Sequence, residues 1–162
     1  MSDLVFYTNP MSRGRIVRWA LEEIGQPYRT EILQFGTTMK DESYKAVNPM
    51  GKVPTIVHRK KTVTECAAIC AYLADAFPER GLAPLAAARA DYYRWMFFAA
   101  GPLEAAVSNR ALKVVVPDDP LMRGMVGYGC LEAVLDTIEG AVSRAEYLAG
   151  GRFSAADLYV GA

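Results

Sequence analysis

The chain has 162 residues, with 18 Lys+Arg against 18 Asp+Glu, one His and three Cys, and 52% of its residues are hydrophobic. That length suits one ordinary domain or two small ones, and the apolar fraction is enough to bury a core. Zero net charge leaves no electrostatic footprint for nucleic acid, and no apolar run approaches the ~18 residues of a membrane span, so neither partner is expected.

The first element is the run Leu4-Val5-Phe6-Tyr7, closed by Thr8-Asn9-Pro10, which predicts a buried strand and then a loop. A helix is expected from near Ser12. Behind it Val17, Ala20, Leu21 and Ile24 repeat at helical spacing, Arg18 and Glu22 face away, and Gly25-Gln26-Pro27 stops the run. Residues 28–33 predict a second strand, and a strand, helix, strand order favours a parallel pair with a right-handed crossover. The polar stretch 34–47 has room for a short helix over 41–46. The turn-rich loop Asn48-Pro49-Met50-Gly51-Lys52-Val53-Pro54 precedes a strand at Thr55-Ile56-Val57-His58. A turn over Arg59-Lys60-Lys61 and a returning strand at Thr62-Val63-Thr64 complete a hairpin. A helix then follows, with the stripe Cys66, Ile69, Cys70, Leu73 and Phe77, ended by Pro78. His58 has no acidic or Cys neighbour in the pattern and reads as structural or solvated.

Residues 78–84 hold two prolines and a glycine and mark the expected domain boundary. All that follows reads as helix. One long helix is expected over about 85–113, kinked at Gly101-Pro102, with Trp95, Met96, Phe97 and Phe98 as core or as the lining of an apolar pocket. A second, after the Pro117-Asp118-Asp119-Pro120 break, carries Leu131, Val134, Leu135, Ile138, Val142 and Ala145 on one side. Near the end Ser154 and Asp157 resemble a capping box, with Phe153 and Leu158 placed as a hydrophobic staple. Only about eight helical residues follow that signal, where an isolated helix needs roughly 12–15 to be even marginal. The expectation is therefore a chain shortened at its C-terminus.

The three cysteines form an odd count, with two of them one helical turn apart, which suits reduced thiols better than a disulfide framework. One His and three Cys show no ligand spacing, so no metal is expected. The N-terminus lacks the basic start of a signal peptide, and a cytoplasmic protein is the default.

Three strings, YTNPMSRGRIVRW from Tyr7, NPMGKVPT from Asn48 and TECAAICAYLADAFP from Thr64, together with FSAADLYVGA near the end, resemble the cytosolic glutathione S-transferases of serine type. The resemblance covers nearly the whole chain. It implies an α/β thioredoxin-like N-terminal domain over 1–80 and an all-α C-terminal domain over 85–162, a helical bundle incomplete at its end. It further implies glutathione as co-substrate, a hydrophobic electrophile as second substrate, a role in detoxification and a homodimer.

Such chemistry requires a lowered thiol pKa, because the free value is about 8.5 and the thiolate is the nucleophile. A hydroxyl at a helix N-terminus can share in stabilising a sulfur anion with the helix dipole and its N–H donors. The resemblance gives that role to Ser12; from the residues alone Ser12 is equally an N-cap. Tyr7 is open as an alternative activator or as a core aromatic, and a backbone N–H as another. Arg13 and Arg15 oppose the dipole and hint at a bound anion.

The resemblance places glutathione on Lys52, Val53, Pro54, Glu65 and Cys66. It implies a cis Val53–Pro54 bond that exposes the Val53 backbone for pairing with a peptide. Lys52 could meet a carboxylate or remain a solvated loop lysine. Glu65-Cys66 stands where the family has an acidic residue and a serine. A thiol there would lose about 1 kcal/mol of hydrogen bonding while the backbone N–H is retained. Glu65 alone is also a favourable first-turn carboxylate, and Cys66 and Cys70 equally suit core packing. The leading expectation is a glutathione transferase; the competing one is a catalytically silent scaffold of the same fold. A thioredoxin-type oxidoreductase is disfavoured because no CxxC occurs.

Overall fold

The opening apolar run forms strand β1 (Leu4–Thr8), in which Leu4, Phe6 and Thr8 are buried while Val5 and Tyr7 are half-buried, the period of two expected of a strand. The computed structural model describes residues 3–162, and the chain divides into one compact unit up to Ala83 and another over Pro84–Gly161.

In the first unit, helix α1 (Gly14–Ile24) buries Ile16, Val17, Ala20, Leu21 and Ile24 along one stripe. Gly25 closes it by donating its N–H to the carbonyls of Leu21 and Glu22. The solvent face is used as well. Arg18 donates to the Tyr28 hydroxyl (3.0 Å), which donates in turn to Glu22 (2.6 Å), so the helix is tied to the start of strand β2 (Arg29–Ile32).

The sheet order is β2-β1-β3-β4, with β2 parallel to β1, and with β3 (Thr55–His58) antiparallel to both β1 and β4 (Lys61–Thr64). The β3–β4 turn is one residue shorter than expected. Arg59 and Lys60 take it alone, both at positive φ (49° and 64°), because that handedness matches the twist of the flanking strands; Lys61 then pairs with His58 inside the ladder.

Helix α2 (Glu42–Lys45) is a single turn preceded by a 3₁₀ turn at Thr38–Lys40. Helix α3 (Cys66–Ala76) packs on α1 and buries Cys66, Ile69, Cys70, Leu73 and Ala74. It ends one residue earlier than the Phe77 stripe requires, and Phe77 caps it from a non-helical backbone. Each fully buried aliphatic side chain contributes about 1.5–3 kcal/mol. Val17, Leu21, Ile24, Ile69 and Leu73, all 0% exposed, therefore dominate the stability of this layer.

The second unit is helical: α4 (Ala90–Phe98), α5 (Glu104–Ala111), α6 (Pro120–Met125), α7 (Leu131–Val142) and α8 (Ala155–Gly161). Two expectations are corrected here. The helix expected over 85–113 begins at Ala90 and is broken by a π-helical turn at Ala99–Leu103 containing Pro102, whose ring and missing N–H cannot serve the regular ladder. The helix expected after residue 120 is two helices, because Gly127 and Gly129 adopt positive φ (73° and 70°) and cannot continue α6.

Of the apolar stripe expected on α7, Val134 is buried but Leu135 and Val142 are exposed. In the run Trp95-Met96-Phe97-Phe98, Trp95 and Met96 are core, whereas Phe97 faces solvent. The Asp157 carboxylate accepts from both the N–H (2.8 Å) and the hydroxyl (2.7 Å) of Ser154, and also from the Leu148 N–H (2.6 Å). Among the described residues no helix is long and apolar enough to cross a membrane.

His58 is structural. It is 2% exposed, lies 3.0 Å from the Tyr72 hydroxyl through Nδ1, stacks on Phe77 and has the Asp3 carboxylate 3.7 Å from Nε2. Burial holds its pKa below the ordinary 6.5, against a smaller opposing pull from Asp3. The unfolded chain accepts a proton near 6.5 and the folded one only at lower pH, so unfolding takes up a proton in that window. The stability due to neutral His58 is therefore whole above about pH 6.5 and declines below it. Urea unfolding should show a lower midpoint at about pH 5.5 than at about pH 7.5, and His58→Phe should flatten that difference.

Candidate active site

The strand register gathers three chain segments at one end of the sheet. Tyr7 pairs with Thr55, so the loop before β3 lies beside the end of β1, from which the Ser12 turn departs. Thr55 also pairs with Thr64, which sets the end of β4, from which Glu65 departs, on the other side of that loop. A one-residue slip would scatter these segments.

Ser12 sits in a tight hydrogen-bonded turn. Its hydroxyl donates to the Asn9 carbonyl (2.6 Å) and accepts from the Gly14 N–H (3.0 Å), so the side chain serves the first amide of α1 as a cap would. A sulfur anion at this hydroxyl must therefore compete with the Asn9 carbonyl for one proton. Asn9, 5% exposed, donates from Nδ2 to the Leu33 carbonyl (2.7 Å) and accepts the Met11 N–H (2.9 Å), fixing the loop to the far end of β2. Gly14 packs so closely that a Cβ there would lie 2.0 Å from Thr8 Oγ1 and 2.9 Å from Ser12 Oγ. Sequence reasoning missed both residues; an asparagine directly after a strand and a glycine at the head of an amphipathic helix were the only signals. Arg13 and Arg15 are exposed, and the first turn of α1 holds no acidic residue.

The Val53–Pro54 bond is cis. The Lys52 side chain is exposed, while its carbonyl accepts from the Tyr44 hydroxyl (2.6 Å) and Asn48 Nδ2 (2.9 Å). Tyr7 is half-buried with its ring tilted against Tyr44 at 5.3 Å between centroids, which is the packing of a core aromatic.

Glu65 is exposed at φ 67°, ψ 124°, a conformation that costs a residue with a Cβ on the order of 1–3 kcal/mol and clusters at functional sites. Directly after it the Cys66 thiol, almost fully buried, donates to the Arg13 carbonyl (3.6 Å). That contact joins the starts of α1 and α3. It also engages the thiol within the chain. Cys70 is buried more deeply, and burial pushes its thiol pKa far up, with Cys66 adding to the shift. None of the three cysteines forms a disulfide. Among the described residues no group of three or more His, Cys, Asp or Glu could hold a metal ion.

Thus Ser12, Glu65 and Cys66 come together at two joined helix starts, and Lys52, Val53 and Pro54 stand at the same end of the sheet. An anionic or peptide-like ligand would meet helix N–H donors, exposed cations and the loop backbone beside the cis bond there.

The family model of the glutathione S-transferase N-terminal domain matches residues 11–76. Glutathione S-transferase 1 of Schizosaccharomyces pombe is 27% identical over 147 residues, covering 86% of this chain and 64% of its own length. Glutathione S-transferase 3 of Zea mays is 27% identical over 168 aligned positions, 97% of this chain and 75% of the maize protein. The crystal structure of a glutathione transferase homologue from Sulfitobacter, with bound glutathione, superposes with a TM-score of 0.75 at 28% identity, covering 99% of this chain and 80% of that one. The chain thus spans slightly under two thirds of the fission yeast relative.

The seat of α1 is testable through Gly14. Gly14→Ala should destabilise the chain by about 1–3 kcal/mol through overpacking against Thr8. In urea melts Thr8→Ala in the same chain should recover part of the loss, and a neutral Gly14→Ala would show that the close approach is not as described.

Proposed function

We propose that this chain, which belongs to the glutathione S-transferase family, binds glutathione at the sheet end formed by the Ser12 turn, the Lys52–Pro54 loop and the Glu65 helix start, and activates its thiol for attack on a hydrophobic electrophile. The observation that supports this most is the convergence of those three segments, sealed by the contact between the Cys66 thiol and the Arg13 carbonyl.

In this reading the Val53 backbone pairs with the backbone of the tripeptide in the manner of an added strand. The Glu65 carboxylate takes the ammonium of the γ-glutamyl end, and the first-turn amides of α3, Cys66 N–H among them, take its α-carboxylate. Lys52 meets the remaining carboxylate as a point charge. The glutathione thiol releases its proton to solvent, and Ser12 turns its own proton from the Asn9 carbonyl to the sulfur, which stabilises the thiolate together with the dipole of α1. The thiolate then attacks the electrophilic carbon: a C–S bond forms, and a halide departs or an epoxide C–O bond opens and takes up a proton. A homodimer in the cytoplasm completes the reading, supported by the resemblance and by exposed apolar side chains of the helical unit such as Leu135 and Val142.

A catalytically silent scaffold of the same fold is the second reading. What favours it is that the Ser12 hydroxyl and the Cys66 thiol both already have partners within the chain.

Retention on immobilised glutathione, and turnover with aryl halides, epoxides and peroxides, separates the two readings. The enzyme reading expects both, and their absence leaves the scaffold. If Ser12 activates the thiol, Ser12→Ala loses a hydrogen bond to a charged group. That should lower kcat/KM by about 10–100-fold and move the pKa of the pH–rate profile upward. A variant that loses only the ~1 kcal/mol of stability typical of a cap would reduce Ser12 to that role.

A further inference from the structure

Three buried side chains meet on one backbone carbonyl. The Lys52 carbonyl accepts from the Tyr44 hydroxyl (2.6 Å), from Asn48 Nδ2 (2.9 Å) and, at a longer 3.4 Å, from the Thr55 hydroxyl. The three are also bonded to one another: with the Tyr44 proton on the Lys52 carbonyl, the Thr55 hydroxyl lies 2.9 Å from the Tyr44 oxygen, which can accept from it, and Thr55 Oγ1 accepts from Asn48 Nδ2 (3.1 Å). Tyr44 and Asn48 are each 4% exposed and Thr55 is 0% exposed. Packing these polar groups in the core costs free energy unless each finds partners, and a fully satisfied network rigidifies what it touches.

The target of this network decides its meaning. A peptide unit is planar, and in the trans form its C=O and N–H point in opposite directions. The Lys52–Val53 bond is trans, since among the described residues the one cis bond is Val53–Pro54. Drawing the Lys52 carbonyl into the core therefore aims the Val53 N–H out of it. The approach to that peptide is held too: Lys40 Nζ donates to the carbonyls of Met50 (3.2 Å) and Gly51 (2.7 Å), and Asn48 accepts the N–H groups of Met50 at Oδ1 (3.1 Å) and of Gly51 at its carbonyl (2.8 Å). Tyr44 belongs to α2, Asn48 to the loop and Thr55 to β3, so three elements converge on one peptide plane.

We infer that Tyr44, Asn48 and Thr55 form a positioning network that fixes the Lys52–Val53 peptide plane and so presents the Val53 N–H as a preset donor to the backbone of the bound tripeptide. The inference rests on the glutathione reading above for the ligand, but not for the rigidity of the loop. None of the three touches the ligand; they act through the loop. A preset donor lowers the ordering cost of binding, so its loss should appear in KM rather than in kcat.

The test uses the whole chain with Tyr44→Phe and Thr55→Val, each nearly isosteric, and Thr55→Ser as the conservative control. In the free protein, backbone ¹⁵N order parameters of Lys52 and Val53 should fall from the rigid range of about 0.85 towards 0.6 in Tyr44→Phe and Thr55→Val, with α1 and α3 unchanged. Thr55→Ser should restore them. The glutathione KM should rise about fivefold to tenfold in the first two variants, with kcat held within about twofold. Unchanged order parameters overturn the inference, as does loosening spread over the whole unit, or a mobile loop with an unaltered KM. If the wild-type chain neither binds nor turns over glutathione, the functional reading falls, while the order parameters still decide whether the network holds the plane.

Discussion

Helix α1 starts where it does because Gly14 lies against Thr8 at a distance that admits no side chain. That close approach seats the first turn of the helix on the end of β1, and the Asn9 and Ser12 hydrogen bonds lock the intervening turn around it. Once α1 is seated, the Arg13 carbonyl lies within reach of Cys66, so the start of α3 is fixed as well. The sheet register then brings the Lys52–Pro54 loop alongside. The Ser12 turn and the start of α3 thus inherit their positions from the close approach of Gly14 to Thr8.

Much of the α/β unit was legible in the sequence because its signals are local. Alternation in β1, the apolar stripe of α1, the loop Asn48–Pro54 and the β-branched run of β3 each state their own geometry. The site was legible only in part. Ser12 and Glu65 stand beside helix starts, which capping chemistry marks in a sequence. What they do there was not legible, because the partners of Ser12 include a backbone carbonyl three residues back, and the thiol of Cys66 meets a carbonyl 53 residues away. Long-range pairings of that kind leave no periodic trace. Tyr44 is the clearest omission: it lies in a polar stretch whose pattern is silent, yet it is buried and bonded to the loop before the cis bond.

The helical unit was harder to read for a different reason. Periodicity marks an apolar stripe but not where a helix must be interrupted, nor whether a partner covers the stripe. The π-helical turn at Ala99–Leu103 lets the chain absorb Pro102 and resume as α5, which a simple kink would not have suggested. The paired positive-φ glycines at 127 and 129 divide what reads as one amphipathic run. On α7 the burial of Val134 beside the exposure of Leu135 shows that an apolar periodicity fixes a face, not its occupancy.

The burial of the two neighbouring thiols on α3 has a bearing on self-damage. Were the proposed reaction with soft electrophiles to take place, the chain's own sulfurs would be rival targets, and alkylation of a core cysteine would wedge a bulky adduct between α1 and α3. Here Cys70 is kept protonated by its apolar surroundings, and Cys66 is shielded while its proton is held by a carbonyl. The thiolate fraction available to a reagent at Cys70 is accordingly small.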